Sequence, residues 1–413
     1  MRTDRRDFLT ALGALSAAGF VAPDAWAQSR RAAPDAPGEL RGLANADDIL
    51  LDPGLTYLQT GSLGPTPRPV LERTMAVWRH LELDPTSKGY GPLEQGMEQV
   101  RAKAAAFIGC ALDELVLTRC TTEGLNWVAQ GIQWSPDERI ITTDQEHPGG
   151  RACYDWVARR HGVALDIVAI PPGENDPAAI VKRFEDRITP KTRAFAFSHL
   201  LTSTGLRMPV AQLSALARRV GCLSIVDGAQ AVGGVMVDVK ALGCHVYATS
   251  GHKWLLAPKG TGLLYLSRDI AGRVDPIALQ SGREAYTASS GVCSLPSVHG
   301  LAAAIDYHNG FGPPIIEGHN VALGRYLWAA LASVPKIRVV SAAPGPLASP
   351  LLTYELPATI NAGELYKRLL EKHRVLVKVV PANFLNGQRI STHLFNTARD
   401  VDALVVALKA ELA

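Results

Sequence analysis

Cysteine is scarce in this sequence: six in 413 residues, no two spaced as C-x-x-C and none after Cys293. A cysteine-based metal site therefore has no ligand pair to build on. Cys222 and Cys244 flank predicted strands, so the six are expected mostly as small buried apolar residues, with one bridge at most. Charge of one sign is missing too: 42 basic against 39 acidic side chains leave a formal +3. So small a balance gives neither nucleic acid nor an anionic membrane a reason to bind. No internal repeat, coiled coil or low-complexity block interrupts the chain. The run from Phe8 to Ala22 is rich in Gly, Ala and Ser. It falls short of the roughly 20 apolar residues that cross a bilayer.

That run has a better reading as an address. Arg5-Arg6-Asp7-Phe8-Leu9 sets a twin arginine ahead of it, and Ala25-Trp26-Ala27 ends it with a small-x-small cleavage site. Residues 1–27 are expected to be a twin-arginine signal peptide, although Asp4 stands where Ser or Thr is usual. The expected partner is the twin-arginine export machinery, the expected location the periplasm, with no membrane anchor after processing. Cutting there removes Arg2, Arg5 and Arg6 together with Asp4, Asp7 and Asp24, so the +3 is unchanged. What remains is too long for one ordinary core and, at 47% hydrophobic over the whole chain, able to fill two.

Residues 28–45 read as a linker or N-terminal arm, and 46–66 as a segment packing with a small domain. Residues 67–305 read as a large domain and 306–413 as a small α+β domain. In the large domain, short apolar runs recur at Glu114–Leu117, Arg139–Thr142, Leu165–Ile170, Ala194–Phe197, Leu223–Val226, His245–Ala248 and Leu263–Leu266. Helical spacing appears at Leu71–Leu83, Gln95–Ile108, Leu125–Gln133, Ala178–Arg187 and Val210–Val220. The alternation predicts an α/β fold with a mostly parallel central sheet covered by helices. Toward the C-terminus the pattern predicts helices over Glu317–Ala332, Ala362–Lys372 and Val401–Leu412, with strands near Ile337–Val340 and Leu351–Leu356.

Ligands of such sheets gather where strands end and helices begin, and four junctions carry unusual polar residues. In Ser250-Gly-His252-Lys253 a strand breaks at glycine and leads to a lysine. A lone lysine there is usually solvated, but Ser250 and His252 can donate to a phosphate beside it. Desolvation and nearby positive charge would lower its pKa, as imine formation requires. Asp227 closes an apolar strand in Asp227-Gly-Ala-Gln230. It is either a helix cap or the partner of a buried cation such as a protonated pyridine, with Gln230 in reach of the ring hydroxyl. Thr121-Thr122 opens a helix, where hydroxyls and N–H groups cap the helix or cradle phosphate. His147, after Ile140–Thr143, is a surface residue or a flat ring able to stack on a pyridine.

Tyr57-Leu-Gln-Thr-Gly-Ser-Leu-Gly-Pro, Thr121-Thr-Glu-Gly, Gln145-Glu-His147, Asp227-Gly-Ala-Gln230, Ser250-Gly-His-Lys253 and Arg389-Ile-Ser with Phe395-Asn396 together resemble class V aminotransferases. The likeness runs from about Leu50 to the C-terminus. Its flavour is that of isopenicillin-N-epimerase-like proteins and of the exported enzyme that tailors the siderophore pyoverdine. The resemblance implies pyridoxal 5'-phosphate (PLP), a fold-type I homodimer sharing its active sites, and Lys253 as Schiff-base lysine and acid/base at the substrate Cα. It implies Asp227 at the pyridine nitrogen, His147 on the ring, and Thr121, Thr122, Ser250 and His252 at the phosphate. Thr202 and Gln230 join the cofactor set. Arg389, Gly61 and Ser62 are the substrate candidates, Arg389 as a bidentate carboxylate clamp.

Two departures matter. Family members commonly place a Gly-Thr pair where this chain has Gly291-Val292, leaving Ser294 or Ser289 to reach the partner's phosphate. Thiol-dependent desulfurases carry a cysteine ahead of Arg-x-Ser, and Lys378–Gln388 has none, so a persulfide mechanism lacks its thiolate there. The expected function is aminotransferase-type modification of an amino acid or peptide-borne amino acid, in periplasmic maturation of a siderophore-like metabolite. Epimerase or C–S lyase chemistry is the alternative. A non-catalytic binding protein of the same fold is the reading from another class, and the joint presence of Lys253, Asp227 and His147 argues against it.

Overall fold

A computed structural model describes residues 40–413; residues 1–27, where a signal peptide is expected, and most of the linker expected at 28–45 lie outside the described residues. A seven-stranded sheet organises the first two thirds of the described chain. Its strands are β2 (Leu115–Thr118), β3 (Arg139–Thr143), β4 (Ala164–Val168), β5 (Thr192–Ser198), β6 (Leu223–Asp227), β7 (Val246–Ser250) and β8 (Gly262–Leu266). They lie in the order β2-β8-β7-β6-β5-β3-β4, with β8 antiparallel to its neighbours and the other contacts parallel. The expected mostly parallel sheet is present, and every apolar run named above lies on one of its strands, shifted by no more than two residues.

The strands read as continuous apolar runs because both faces are covered. Period-two alternation splits them: Ile141, Phe195, Phe197, Val226 and Tyr247 face one core. Ile140, Ala194, Ala196, Ile225 and Ala248 face the other. Helices α1 (Arg68–Leu81) and α2 (Glu94–Ile108) cover the first face, α3 (Thr121–Gly131) and α4 (Pro148–His161) the second. Helices α5 (Pro177–Glu185), α6 (Val210–Arg219) and α7 (Leu295–Phe311) complete the first layer.

A second, four-stranded antiparallel sheet has the order β12-β13-β10-β9: β9 (Arg338–Val339), β10 (Leu351–Glu355), β12 (Lys378–Val379) and β13 (Gly387–Ser391). Helices α8 (Pro313–Ala332), α9 (Ala362–His373) and α10 (Ala398–Leu412) accompany it. Near the N-terminus, β1 (Thr56–Tyr57) pairs in parallel with β11 (Val375–Leu376), and Gln59 bridges to Ser391. That pairing delivers the following turn, Gly61-Ser62, to the side of Arg389. All six cysteines are free thiols.

Candidate active site

The carboxyl ends of β3, β5, β6 and β7 and the start of α3 open into one cavity of about 560 Å³. Its wall includes Gly61, Ser62, Thr121, Thr122, His147, Thr202, Asp227, Gln230, Ser250, His252, Lys253 and Arg389, so the structure brings together every site residue expected from sequence. Val292, Ser289 and Ser294 do not line it: Ser289 bonds Ala278 O and Ser294 caps α7.

The backbone around Lys253 is held from three sides. Gly64 N–H donates to His252 O at 2.9 Å, and Leu256 N–H donates to Lys253 O at 3.2 Å. The Trp254 carbonyl lies 2.6 Å from His393 Nε2 and 3.0 Å from His308 Nε2. A Cβ at Gly64 would overlap Lys253 O, which is why this close approach takes glycine. Burial, helped by the Arg389 charge and opposed by Asp227, lowers the Lys253 amine to about 8. Such an amine is neutral often enough near neutral pH to attack a carbonyl.

Asp227 ends a fully buried strand and accepts the Ala229 N–H at 2.9 Å. Among the described residues no cation lies within 4.0 Å, and burial, opposed by the Lys253 charge, raises its pKa. Helix α4 starts close above it, and a Cβ at Gly150 would sit 2.6 Å from Asp227 Oδ2. His147 caps that helix by accepting Gly149 N–H at Nδ1, 3.0 Å away. Burial, then the charges of Lys253, Arg389 and Lys378, lower its pKa to about 4, so the ring is neutral. Next to it, Glu146 is half-buried, and desolvation pushes it up to about 7, though Ser198 Oγ and Thr143 Oγ1 donate to it at 2.5 and 2.6 Å.

At the start of α3, Thr121 N–H and hydroxyl meet Ser250 Oγ at 3.0 and 2.8 Å, and His252 Nδ1 is buried without a partner. These donors, beside an eleven-residue helix N-terminus, suit a phosphate. A buried carboxylate without an ion-pair partner among the described residues, a set of phosphate donors and a depressed lysine, all lining one cavity, fit pyridoxal phosphate. Two expected cofactor residues have other bonds in the structure. Gln230 accepts from Trp254 Nε1 at 2.8 Å and donates to Gly61 O at 2.8 Å, tying the lysine loop to the Gly61 turn. Thr202 accepts from Arg389 Nη1 through its carbonyl and hydroxyl, at 2.9 and 2.8 Å.

Arg389 is buried in β13, and burial lowers its pKa to about 10. Nη2 donates to Ser62 Oγ at 3.3 Å and Nε has no partner. The sequence reading missed Cys120, which lines the cavity at the N-cap of α3, near enough to influence the Lys253 charge. It also missed Glu146, although Gln145-Glu-His147 contained it, and the histidines behind Trp254, whose sequence neighbours gave no signal.

Those two histidines, with His199 buried against Tyr247 Oη at 2.9 Å, set an acid limit. Burial holds His199 down at about 3 and His308 at about 4, and drives His393 well below the usual range. Each would take a proton near 6.5 when unfolded, so the unfolded chain binds more protons below that pH. Their contribution is complete above about pH 6.5 and is lost as pH falls toward about 4, at roughly 1.4 kcal/mol per unit for each. Melting scans from about pH 7.5 down to about pH 5 should show Tm falling by more than about 5 °C. A flat profile would exclude this role.

Residues 56–404 match the family model described as Aminotransferase class-V. The isopenicillin N epimerase of Streptomyces clavuligerus is 31% identical over 382 residues, covering 88% of this chain and 96% of the relative. A cysteine desulfurase of Enterobacter sp. (strain 638) is 29% identical, covering 86% and 93%. Among solved structures, the cystine C–S lyase C-DES in complex with its product cysteine persulfide superposes with a TM-score of 0.78 at 24% identity, covering 86% of this chain and 98% of that one.

Proposed function

Because the chain belongs to the class V aminotransferases, whose cofactor is pyridoxal 5'-phosphate, we propose that it transforms amino acids at Cα, with Lys253 moving the proton and transamination as the outcome. The observation that carries this is the buried, depressed amine of Lys253 in one cavity with the unpaired Asp227 and Arg389. When bound, the cofactor supplies an aldehyde and an electron-withdrawing ring that accepts the negative charge developing at Cα. Lys253 would hold the group by its aldehyde and accept the proton leaving Cα, delivering it away from Cα for transamination or back to Cα for epimerisation. Asp227 would pair with the protonated ring nitrogen, and His147, neutral at its lowered pKa, would face the ring without repelling it. Thr121, Thr122, Ser250 and His252 would hold the phosphate, and Arg389, braced by Thr202 and Ser62, would orient the substrate carboxylate.

Epimerisation is the second reading, favoured by the match to isopenicillin N epimerase along nearly its full length. C–S lyase chemistry needs no thiol and stays behind these two. The experiment is incubation of the PLP-loaded protein with a panel of L-amino acids in deuterated water. Transamination predicts an oxo acid and loss of the visible absorbance when no acceptor is present. Epimerisation predicts the D-enantiomer with deuterium at Cα. Lyase action predicts sulfide. A protein that takes up no PLP, or leaves every Cα proton in place, would sink the proposal.

Export to the periplasm by the twin-arginine route is proposed on Arg5-Arg6 and the apolar run after them, and a secondary-metabolite setting on the likeness to the epimerase. A homodimer is proposed on the outward side of α1, where Leu71, Met75 and Trp78 leave an apolar stripe at helical spacing. Sedimentation at equilibrium tests it.

A further inference from the structure

Arg389 is not the only cation on its wall. In the antiparallel ladder of β12 and β13, Lys378 stands directly opposite Arg389, and both line the cavity. Directly opposed residues present their side chains on the same face, with Cβ atoms about 4.5–5.5 Å apart. The neighbours fix which face this is. Thr353, opposite Arg389 on its other side, donates to Ser203 O at 2.7 Å, at the cavity rim. Gln388, next along β13, turns away to Tyr354 Oη and Ala362 O.

Two like charges directly opposite each other repel. Among the described residues neither has a carboxylate within 4.0 Å. The acids lining the cavity are engaged elsewhere. Asp144 accepts Ile170 N–H, Glu146 accepts Ser198 and Thr143, and Asp227 accepts Ala229 N–H. The two cations also differ in kind. Arg389 is a buried fork fixed by Thr202 and Ser62, suited to one carboxylate in one orientation. Lys378 is exposed, a point charge on a flexible stem that can meet an anion at varying reach. Val380, Pro381 and Phe384 supply an apolar surface nearby for methylenes.

We propose that the substrate is an amino acid with a second carboxylate on its side chain, which Lys378 binds while Arg389 holds the α-carboxylate. This rests on the reading of Arg389 as the α-carboxylate clamp. Lys378 is then a residue that sets specificity, and amino acids with neutral side chains leave it unpaired.

The test is calorimetric titration of the PLP-loaded protein with glutarate and valerate, which share five carbons and differ by one carboxylate. Glutarate is expected to bind about tenfold more tightly than valerate, a difference that shrinks as salt is added. Lys378→Ala should bring the ratio to about two or below with valerate affinity unchanged, and Lys378→Glu should reverse the preference. Because Lys378 is exposed, both variants should keep the wild-type circular dichroism and melting curve. Equal affinities in the wild type, or a preference that survives Lys378→Ala, would overturn the inference while leaving a yellow, PLP-binding protein intact. If the protein instead takes up no PLP, the underlying reading fails. The same titration on the cofactor-free protein then decides the inference alone, by the same two criteria.

Discussion

Lys253→Ala should give a folded, soluble protein whose turnover is at least about a thousandfold below wild type, the range lost with a positioned acid/base group. The fold should survive because the surrounding lattice uses backbone atoms: the carbonyls of His252, Lys253 and Trp254 are each held whatever the side chain at 253. Removing an amine whose protonated form burial disfavours also takes no ion pair away. Borohydride reduction of the PLP-loaded protein followed by peptide mass spectrometry should mark Lys253 in the wild type and nothing in the variant. Lys253→Arg is the sharper control, since it keeps the charge and cannot form an imine near neutral pH. If either variant turned over at more than a tenth of the wild-type rate, Lys253 would not be the acid/base.

Asp227→Asn should move stability and activity in opposite directions. In the cofactor-free protein the carboxylate is buried, no described residue forms an ion pair with it, and burial, opposed by the Lys253 charge, raises its pKa. A raised carboxylate pKa means the folded state binds the proton more readily than the unfolded state. The stability this group contributes is present below about pH 3.8 and is lost as pH rises through the folded value. At neutral pH the ionised form therefore costs stability. Asn, of the same shape and uncharged, relieves that cost, and the cofactor-free variant should melt at least about 2 °C higher. Activity should fall by about a hundredfold or more, because an amide does not hold the ring nitrogen protonated. Adding PLP should then stabilise the wild type far more than the variant. A variant less stable without PLP, or as active with it, would contradict the assignment.

Much of this site was legible because its residues sit at junctions where an apolar strand stops at a polar residue. Asp227 after Leu223–Val226 and Ser250 after Val246–Thr249 break the pattern abruptly, and a buried polar residue needs a reason. The strand β13 was not legible. Its five residues are all buried, yet Gln388, Arg389 and Ser391 are polar, and the bonds that Gln388 and Arg389 make are to segments no local pattern announces. Helix α4 was hidden behind Pro148-Gly-Gly, which reads as a loop until His147 caps it. The pairing of Lys378 with Arg389 depends on register across eleven positions, and two-residue strands leave no periodicity to read.

The sequence by itself therefore determined the sheet, its layers and the residues that meet at its carboxyl edge, because alternation and burial are local signals. Tertiary structure alone decided that Cys120 and Glu146 join that edge and that Trp254 and Gln230 tie the lysine to the Gly61 turn. It also decided that two cations share one wall with no counter-ion among the described residues. Those are contacts between segments far apart in the chain, fixed by how two sheets pack and not by any one segment's own preference.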